Sequence, residues 1–249
     1  MVIVAATAAT AATSAGKAKF QEGLQLYMQR HKYGNTETVD LWNAWSEVSG
    51  KDIAHLMRTW TTVTGYPYLR VVSESWGESQ VEVTLEQARF LADGSDDAES
   101  AGVLWNIPLM FATAGSISQE AVIMDQKVQT FCIPVAAGSA SKPWLKINAG
   151  QKALVRVSHS SEMIARLKAA IAADPSAVSD VDKAALLLDA YALAKASIAP
   201  LETVVEVLRA LTDEMGYVVW NALSGVLGGL HLLLEQVGDD GTAFKAFTS

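Results

Sequence analysis

The hydrophobic period of this chain changes twice, and that double change fixes the order of what it can fold into. From Lys17 to Pro67 the apolar residues recur at helical spacing; from Tyr68 to about Ser158 they alternate; after Ser160 the helical spacing returns and persists. A period near 3.6 places apolar side chains on one helix face, and a period of two places them on one sheet face. The pattern predicts a multidomain α+β chain. Residues 1–16 read as a low-complexity Ala/Thr leader, 17–67 as a short all-α segment, 68–158 as an all-β sandwich, and 159–249 as the start of an α-helical array of HEAT or armadillo type. A length of 249 residues suits such a division at about 150 residues per domain.

Local signals refine the helices. Phe20, Leu24, Tyr27 and Met28 share a face until His31-Lys32-Tyr33-Gly34-Asn35 breaks the run. Leu41, Trp42, Trp45 and Val48 mark a second helix, with Thr36 or Thr38 as its expected cap. Ser49-Gly50-Lys51-Asp52 has the form of a capping box opening a third helix through Ile53, Leu56, Met57, Trp60 and Val63, stopped by Gly65 and Pro67. Beyond the β region, Ile164, Leu167 and Ile171 line one helix ending at Asp174-Pro175. Ser179-Asp180-Val181-Asp182 is a second capping box, leading into Leu186–Ala194. Pro200 suits the first turn of the next helix, and Tyr217–Val237 forms a very apolar last one.

Seven short strands are expected between these helical stretches: 69–72, 80–85, 105–109, 121–124, 128–133, 144–147 and 154–157. The acidic loop 93–100 reads as a solvated hairpin, because the ligand order of a calcium loop is missing.

Composition closes several functional classes. A net charge of −8 without any basic run argues against nucleic acid, whose binding rests on neutralised phosphates. The single cysteine, Cys132, has no internal disulfide partner and reads as a small buried hydrophobe, consistent with a reducing, cytoplasmic setting. The leader lacks the basic start of a secretory signal. Gly225 and Gly229 form G-x-x-x-G in an apolar helix, a transmembrane-dimer pattern. Asn221, Ser224, His231, Glu235 and Gln236, with no basic flank, favour instead a helix buried in a soluble array.

No catalytic constellation assembles. The four histidines, His31, His55, His159 and His231, include no pair four residues apart and no H-E-x-x-H, the arrangement that places two imidazoles and a general base on one helix face for zinc. There is no G-x-S-x-G elbow, and Cys132 with a distant His is unsupported. Trp42, Trp45 and Trp60 at helical spacing read as core. Catalytic, cofactor-binding and metal residues are therefore expected to be none.

A set of clusters nevertheless identifies a family. Phe20-Gln21-Glu22-Gly23-Leu24-Gln25-Leu26-Tyr27, His31-Lys32-Tyr33-Gly34-Asn35, Asp40-Leu41-Trp42, Ser49-Gly50-Lys51-Asp52, Met57-Arg58-Thr59-Trp60-Thr61 and Gly65-Tyr66-Pro67 resemble, in order and spacing, a stretch of the zinc aminopeptidases of the puromycin-sensitive and endoplasmic-reticulum type. Weaker echoes follow at Trp144–Gly150, at Arg156-Val157 and at Tyr217–Trp220 with Leu223 and Leu227.

The resemblance implies a β-saddle, a thermolysin-like catalytic domain, a β-sandwich and a C-terminal helical array. It makes 17–67 a helical remnant of the catalytic domain. The family's G-A-M-E-N, its zinc motif and its oxyanion-stabilising Tyr precede the matched stretch, so none carries over, and zinc belongs to the full-length family rather than to these residues. The sequence departs from the family's G-[FY]-[YF]-R-V-x-Y, reading Ala153-Leu154-Val155-Arg156-Val157-Ser158-His159. The expected role is a non-catalytic fragment or truncated paralogue, with half of a split enzyme or a peptide- or protein-binding module as alternatives. Expected partners are a catalytic-half polypeptide, peptides, or a second copy meeting through exposed Trp-bearing helices. Neither nucleic acid nor a membrane is expected.

Overall fold

The computed structural model describes residues 14–95, 102–118, 121–135, 144–212 and 216–236. Most of the leader (1–13) and of the acidic loop (96–100) lies outside them. The architecture is α+β: seven helices and three β-sheets among the described residues.

Three helices come first: α1 (Ser14–His31), α2 (Thr38–Ser49) and α3 (Ile53–Thr62). Trp42 and Trp45 are buried with Ile53 and Met57, and Phe20 and Leu24 of α1 pack against them. The Trp45 indole stacks on Phe20 at 4.8 Å and donates Nε1–H to the Phe20 carbonyl. Gly23 permits this approach, since a Cβ there would lie 2.1 Å from Trp45 Cδ1.

The helix caps differ from those expected. Glu37, not Thr36 or Thr38, is the N-cap of α2, and its amide donates to the Asp40 carboxylate at 2.9 Å. Ser49 ends α2 and Gly50 closes it in the left-handed region, so the four-residue motif is a C-cap followed by an N-cap rather than one box. Asp52 caps α3 by accepting from the His55 amide.

The β region begins with a long hairpin, β1 (Tyr66–Trp76) and β2 (Gln80–Phe90). Five short strands follow: β3 (Ile107–Leu109), β4 (Phe111–Thr113), β5 (Ser116–Ile117), β6 (Val122–Met124) and β7 (Val128–Pro134). The last two are β8 (Leu145–Ile147) and β9 (Arg156–Ser158). The main sheet runs β7-β2-β1-β9, antiparallel except where β9 lies parallel to β1. β3-β6 and β5-β4-β8 form smaller sheets. Val81, Val83 and Leu85 alternate inward and share one core with Trp105 and with Ile107, Phe111, Met124 and Ile147 from the smaller sheets.

All seven expected strands are present; the tight β4-β5 hairpin was not anticipated. Cys132 corrects another expectation: it is exposed, because Phe131 and Ile133 take the inward positions of β7 and the residue between must face out.

The helical region contains α4 (Ser161–Ala173), α5 (Asp180–Lys195), α6 (Leu201–Ala210) and α7 (Tyr217–Gln236). Ser160 caps α4, and Ser179 caps α5 as the box predicts, exchanging bonds with Asp182. Pro200 is the N-cap of α6 rather than a first-turn residue. Helix α5 is buried on nearly all sides, between β9, α6 and α7. Helix α7 is long and apolar enough to cross a membrane by length and composition. Yet Val219, Ala222, Leu223, Val226 and Leu230 join the helical core. The two glycines of G-x-x-x-G also face differently. A Cβ on Gly229 would meet Tyr191 at 2.0 Å, whereas one on Gly225 would meet nothing within 4 Å. The motif is therefore not one docking stripe.

Two anchors join the three helices to the β region. Trp60 donates Nε1–H to the Asn106 carbonyl at 3.1 Å and Thr59 donates its hydroxyl to the Leu104 carbonyl at 2.9 Å.

Candidate functional site

Charge is concentrated inside the molecule where the β region meets α5. Lys146 lies on β8, Arg156 on β9, and Asp182 and Asp189 two turns apart on the α5 face turned toward them. Lys146, Asp182 and Asp189 are all buried. A buried charge is tolerated only when paired and hydrogen-bonded, and each partner here is supplied by the opposite element. Arg156 Nη1 donates to Asp189 Oδ1 at 3.0 Å, while the Val157 amide donates to Asp189 Oδ2 at 3.1 Å. Lys146 Nζ stands 3.8 Å from Asp182 Oδ1 and donates to the Ile147 carbonyl at 2.7 Å. Asp182 also accepts from the Gly150 amide and the Ser179 hydroxyl.

The turn between β8 and β9 is held for this purpose. Asn148 adopts a left-handed conformation, φ 57°, and its amide group brackets Ala153. Nδ2 donates to the Ala153 carbonyl and Oδ1 accepts from the Ala153 amide, both at 3.0 Å. That bracket presents the Gly150 amide to Asp182.

Burial pulls the Lys146 ammonium below its ordinary pKa, against the attraction of Asp182 and Asp189. Burial likewise raises Asp189, with Arg156, Lys146 and the Val157 amide opposing it. His159 follows β9 and is buried; desolvation first, and the Lys146 charge second, push it down to about 3, so the imidazole is neutral. This array of opposed charges can hold two elements in register. It has no exposed nucleophile and base.

Beside it opens a pocket of about 450 Å³, lined by Tyr66, Gln151 and the 153–156 strap, one edge of α5, and Val218 of α7. Leu154 and Val155, which stand where the resembled family shows aromatics, are part of its wall.

The four histidines are not brought together. His31 ends α1, His55 is exposed on α3, His159 is buried behind β9, and His231 pairs with Glu235 on α7 at 3.1 Å. Among the described residues no three His, Cys, Asp or Glu side chains gather as a metal-binding group, so the described side chains do not form a ligand set that fits a zinc ion. Asp93 accepts from the Ser95 amide and hydroxyl, a local turn. Trp42 and Trp45 are core, 7% and 3% exposed, which removes them from the docking face expected of their helices. Sequence alone does not show the Lys146–Asp182 pair, buried on both sides, or the Arg156–Asp189 pair, buried at its aspartate. The only hint was two acids seven apart on one helix, together with the Arg-Val of the family motif.

Two family models match the chain: the Peptidase family M1 domain over residues 6–60 and the ERAP1-like C-terminal domain over 144–249. The chain is 33% identical to a puromycin-sensitive aminopeptidase of Caenorhabditis elegans over 223 residues, covering 89% of this chain and 23% of that protein. It is 30% identical to aminopeptidase 2 of Candida albicans over 236 residues, 94% of this chain and 24% of that one. To an aminopeptidase N of Lactococcus lactis it is 31% identical over 236 residues, 93% and 26%. The chain thus spans about a quarter of the length of these relatives.

Proposed function

Since the chain belongs to the M1 aminopeptidases as a partial-length relative, we propose that these residues form a non-catalytic scaffold of that family, bracing the helical region against the β region. The observation that carries this reading is the two ion pairs across the β–α5 junction, each resting on a buried aspartate of α5. They hold two units in one orientation, which a wall or support requires and a flexible tether does not. The helices α4–α7 begin an array of HEAT or armadillo type under this reading, and the setting is cytoplasmic.

Removal of N-terminal residues from peptides then requires a polypeptide bearing H-E-x-x-H. A second reading, one half of a split enzyme, draws on the apolar side chains of the first helices: Met28 is 62% exposed and Val39 45%. In both readings zinc belongs to the catalytic portion.

The test is zinc content and hydrolysis of aminoacyl reporter substrates by the purified 249-residue chain, alone and mixed with a polypeptide carrying H-E-x-x-H. No turnover in either case is expected of a scaffold. Turnover only in the mixture establishes the split enzyme. Stoichiometric zinc and turnover by the chain alone overturn both readings.

A further inference from the structure

The pocket beside the charged junction has the chemistry of a ligand site in its own right. Its volume, about 450 Å³, falls in the range of about 300–1,000 Å³ that holds small molecules. Leu154, Val181, Ala184, Ala185 and Leu188 give it aliphatic walls, and Arg156, Asp189 and Tyr66 supply its polar part. Val181 and Leu188 are 46% and 41% exposed, so its edge is open to solvent.

Arg156 decides what such a pocket prefers. Its guanidinium has five N–H donors in a planar fork. Nη1 uses one on Asp189 and Nε uses one on the Tyr66 hydroxyl at 3.3 Å; the others meet no acceptor among the described residues. The side chain remains 30% exposed while Asp189 behind it is 3% exposed. Both Asp189 oxygens are committed, one to Arg156 and one to the Val157 amide. Lys146 and Asp182 balance each other nearby. A guanidinium with unused donors beside an aliphatic wall suits a planar anion carried on a hydrocarbon body, because the fork matches a carboxylate in two bonds. The Tyr66 ring, 6.0 Å from the guanidinium carbon, helps keep the fork in place.

The geometry points to a binding site for an aliphatic carboxylate, with Arg156 taking the carboxylate and the Leu154–Leu188 wall taking the hydrocarbon. The C-terminal residue of a peptide and a free aliphatic acid share this chemistry. The assignment does not depend on any hydrolytic activity.

Calorimetric titration of the full chain tests it with four probes: octanoate, octanamide, and a tetrapeptide ending in leucine as free acid and as C-terminal amide. The acids are expected to bind about tenfold or more tighter than the amides, the scale of a charge-assisted contact. Leu188→Glu, at an exposed rim position, is expected to weaken the acids about tenfold while leaving the circular-dichroism spectrum and Tm unchanged. Arg156→Lys keeps a cation for Asp189 but lacks the planar fork, and should narrow the acid–amide difference. A peptide acid tighter than octanoate identifies a peptide terminus as the occupant; the reverse order identifies a free acid. Either supports the site. Amides binding as well as acids, acid affinity unchanged in Leu188→Glu, or no heat from either acid up to about 10 mM overturns it.

Discussion

The three N-terminal helices and the β–α5 junction solve the same problem, holding one element against another, by opposite means. The helices rely on a few aromatic contacts: Trp45 on Phe20, Trp42 beside it, and Ile53 and Met57 beneath. The ion pair between α1 and α2, Arg30–Glu47, is half exposed on both sides. The junction instead buries its charges, with Lys146 and Asp189 almost wholly out of solvent, inside a core that gathers residues from α4, α5, α6 and α7. A non-directional core tolerates sliding and repacking. A buried ion pair does not, because a small displacement leaves a charge uncompensated. The junction is therefore the part built for a single geometry, and the three helices are the part whose stability is most local.

The largest expected effect is at Asp189. Asp189→Ala removes the acceptor of Arg156 Nη1 and of the Val157 amide and leaves Lys146 with less opposing charge. The expected loss is about 3–5 kcal/mol, the scale for breaking a buried pair from one side. Denaturant unfolding followed by Trp fluorescence and by far-ultraviolet circular dichroism should show both signals moving together. A variant that melts only its helices, with β1–β2 amide protection intact, would break the comparison, since the junction would then not couple the two regions.

Next comes Trp45→Ala, about 3 kcal/mol, toward the low end for truncating a buried Trp because a small core collapses readily. Here the prediction is about place as much as size. Hydrogen exchange should rise across α1–α3 and stay unchanged at the α5 amides. Equal loss in α5 would make the two regions one cooperative unit. Gly23→Ala should reproduce the same local pattern, since its Cβ would collide with the Trp45 ring.

The two regions also differed in how far sequence revealed them. The helical and strand periods located most elements, because burial on one face imposes the period directly. The seven strands and the Ser179 box follow from that rule. The hairpin β4-β5 did not show, because Ala112-Thr113-Ala114-Gly115 has little of the β-branched and aromatic bias that marks strands. The apolar neighbours Phe131 and Ile133 make Cys132 read as core, although a period of two puts the residue between such neighbours outside. The pocket and its charge pairs were illegible for a different reason. Lys146, Arg156, Asp182 and Asp189 come from three elements, and each alone looks like an ordinary surface charge. Only the packing of α5 on β9 makes them a cluster.

The junction also differs from the helices in its response to pH. His159 has its pKa lowered to about 3 by burial and by Lys146. The unfolded chain takes a proton near pH 6.5 and the folded chain does not, so stability falls as pH drops from about 6.5 toward about 3 and levels below that. By 1.36 kcal/mol per unit, this one group costs roughly 3 kcal/mol at pH 4. Urea midpoints measured from pH 7 to 4 should therefore fall less steeply in His159→Phe than in the unmodified chain. Parallel curves would mean that His159 is protonated in the fold and that the junction admits water.

The smallest expected effect belongs to the N-terminal helices and is the sharpest contrast with Asp189. Arg30 donates to both oxygens of Glu47, at 2.8 and 3.0 Å, a fork geometry that drawn on paper looks stronger than the single Arg156–Asp189 contact. The bond raises the Arg30 pKa and lowers that of Glu47, yet both side chains lie in solvent, where water and salt supply nearly the same stabilisation to the separated charges. Arg30→Ala, Glu47→Ala and the double variant should unfold at midpoints indistinguishable from the parent at 0.15 M salt. A clear loss in either single variant, recovered by the double, would show that the three helices depend on charge as the junction does. If instead all three coincide with the parent while Asp189→Ala collapses, then burial, rather than the number or geometry of the bonds, decides which ion pair in this chain matters.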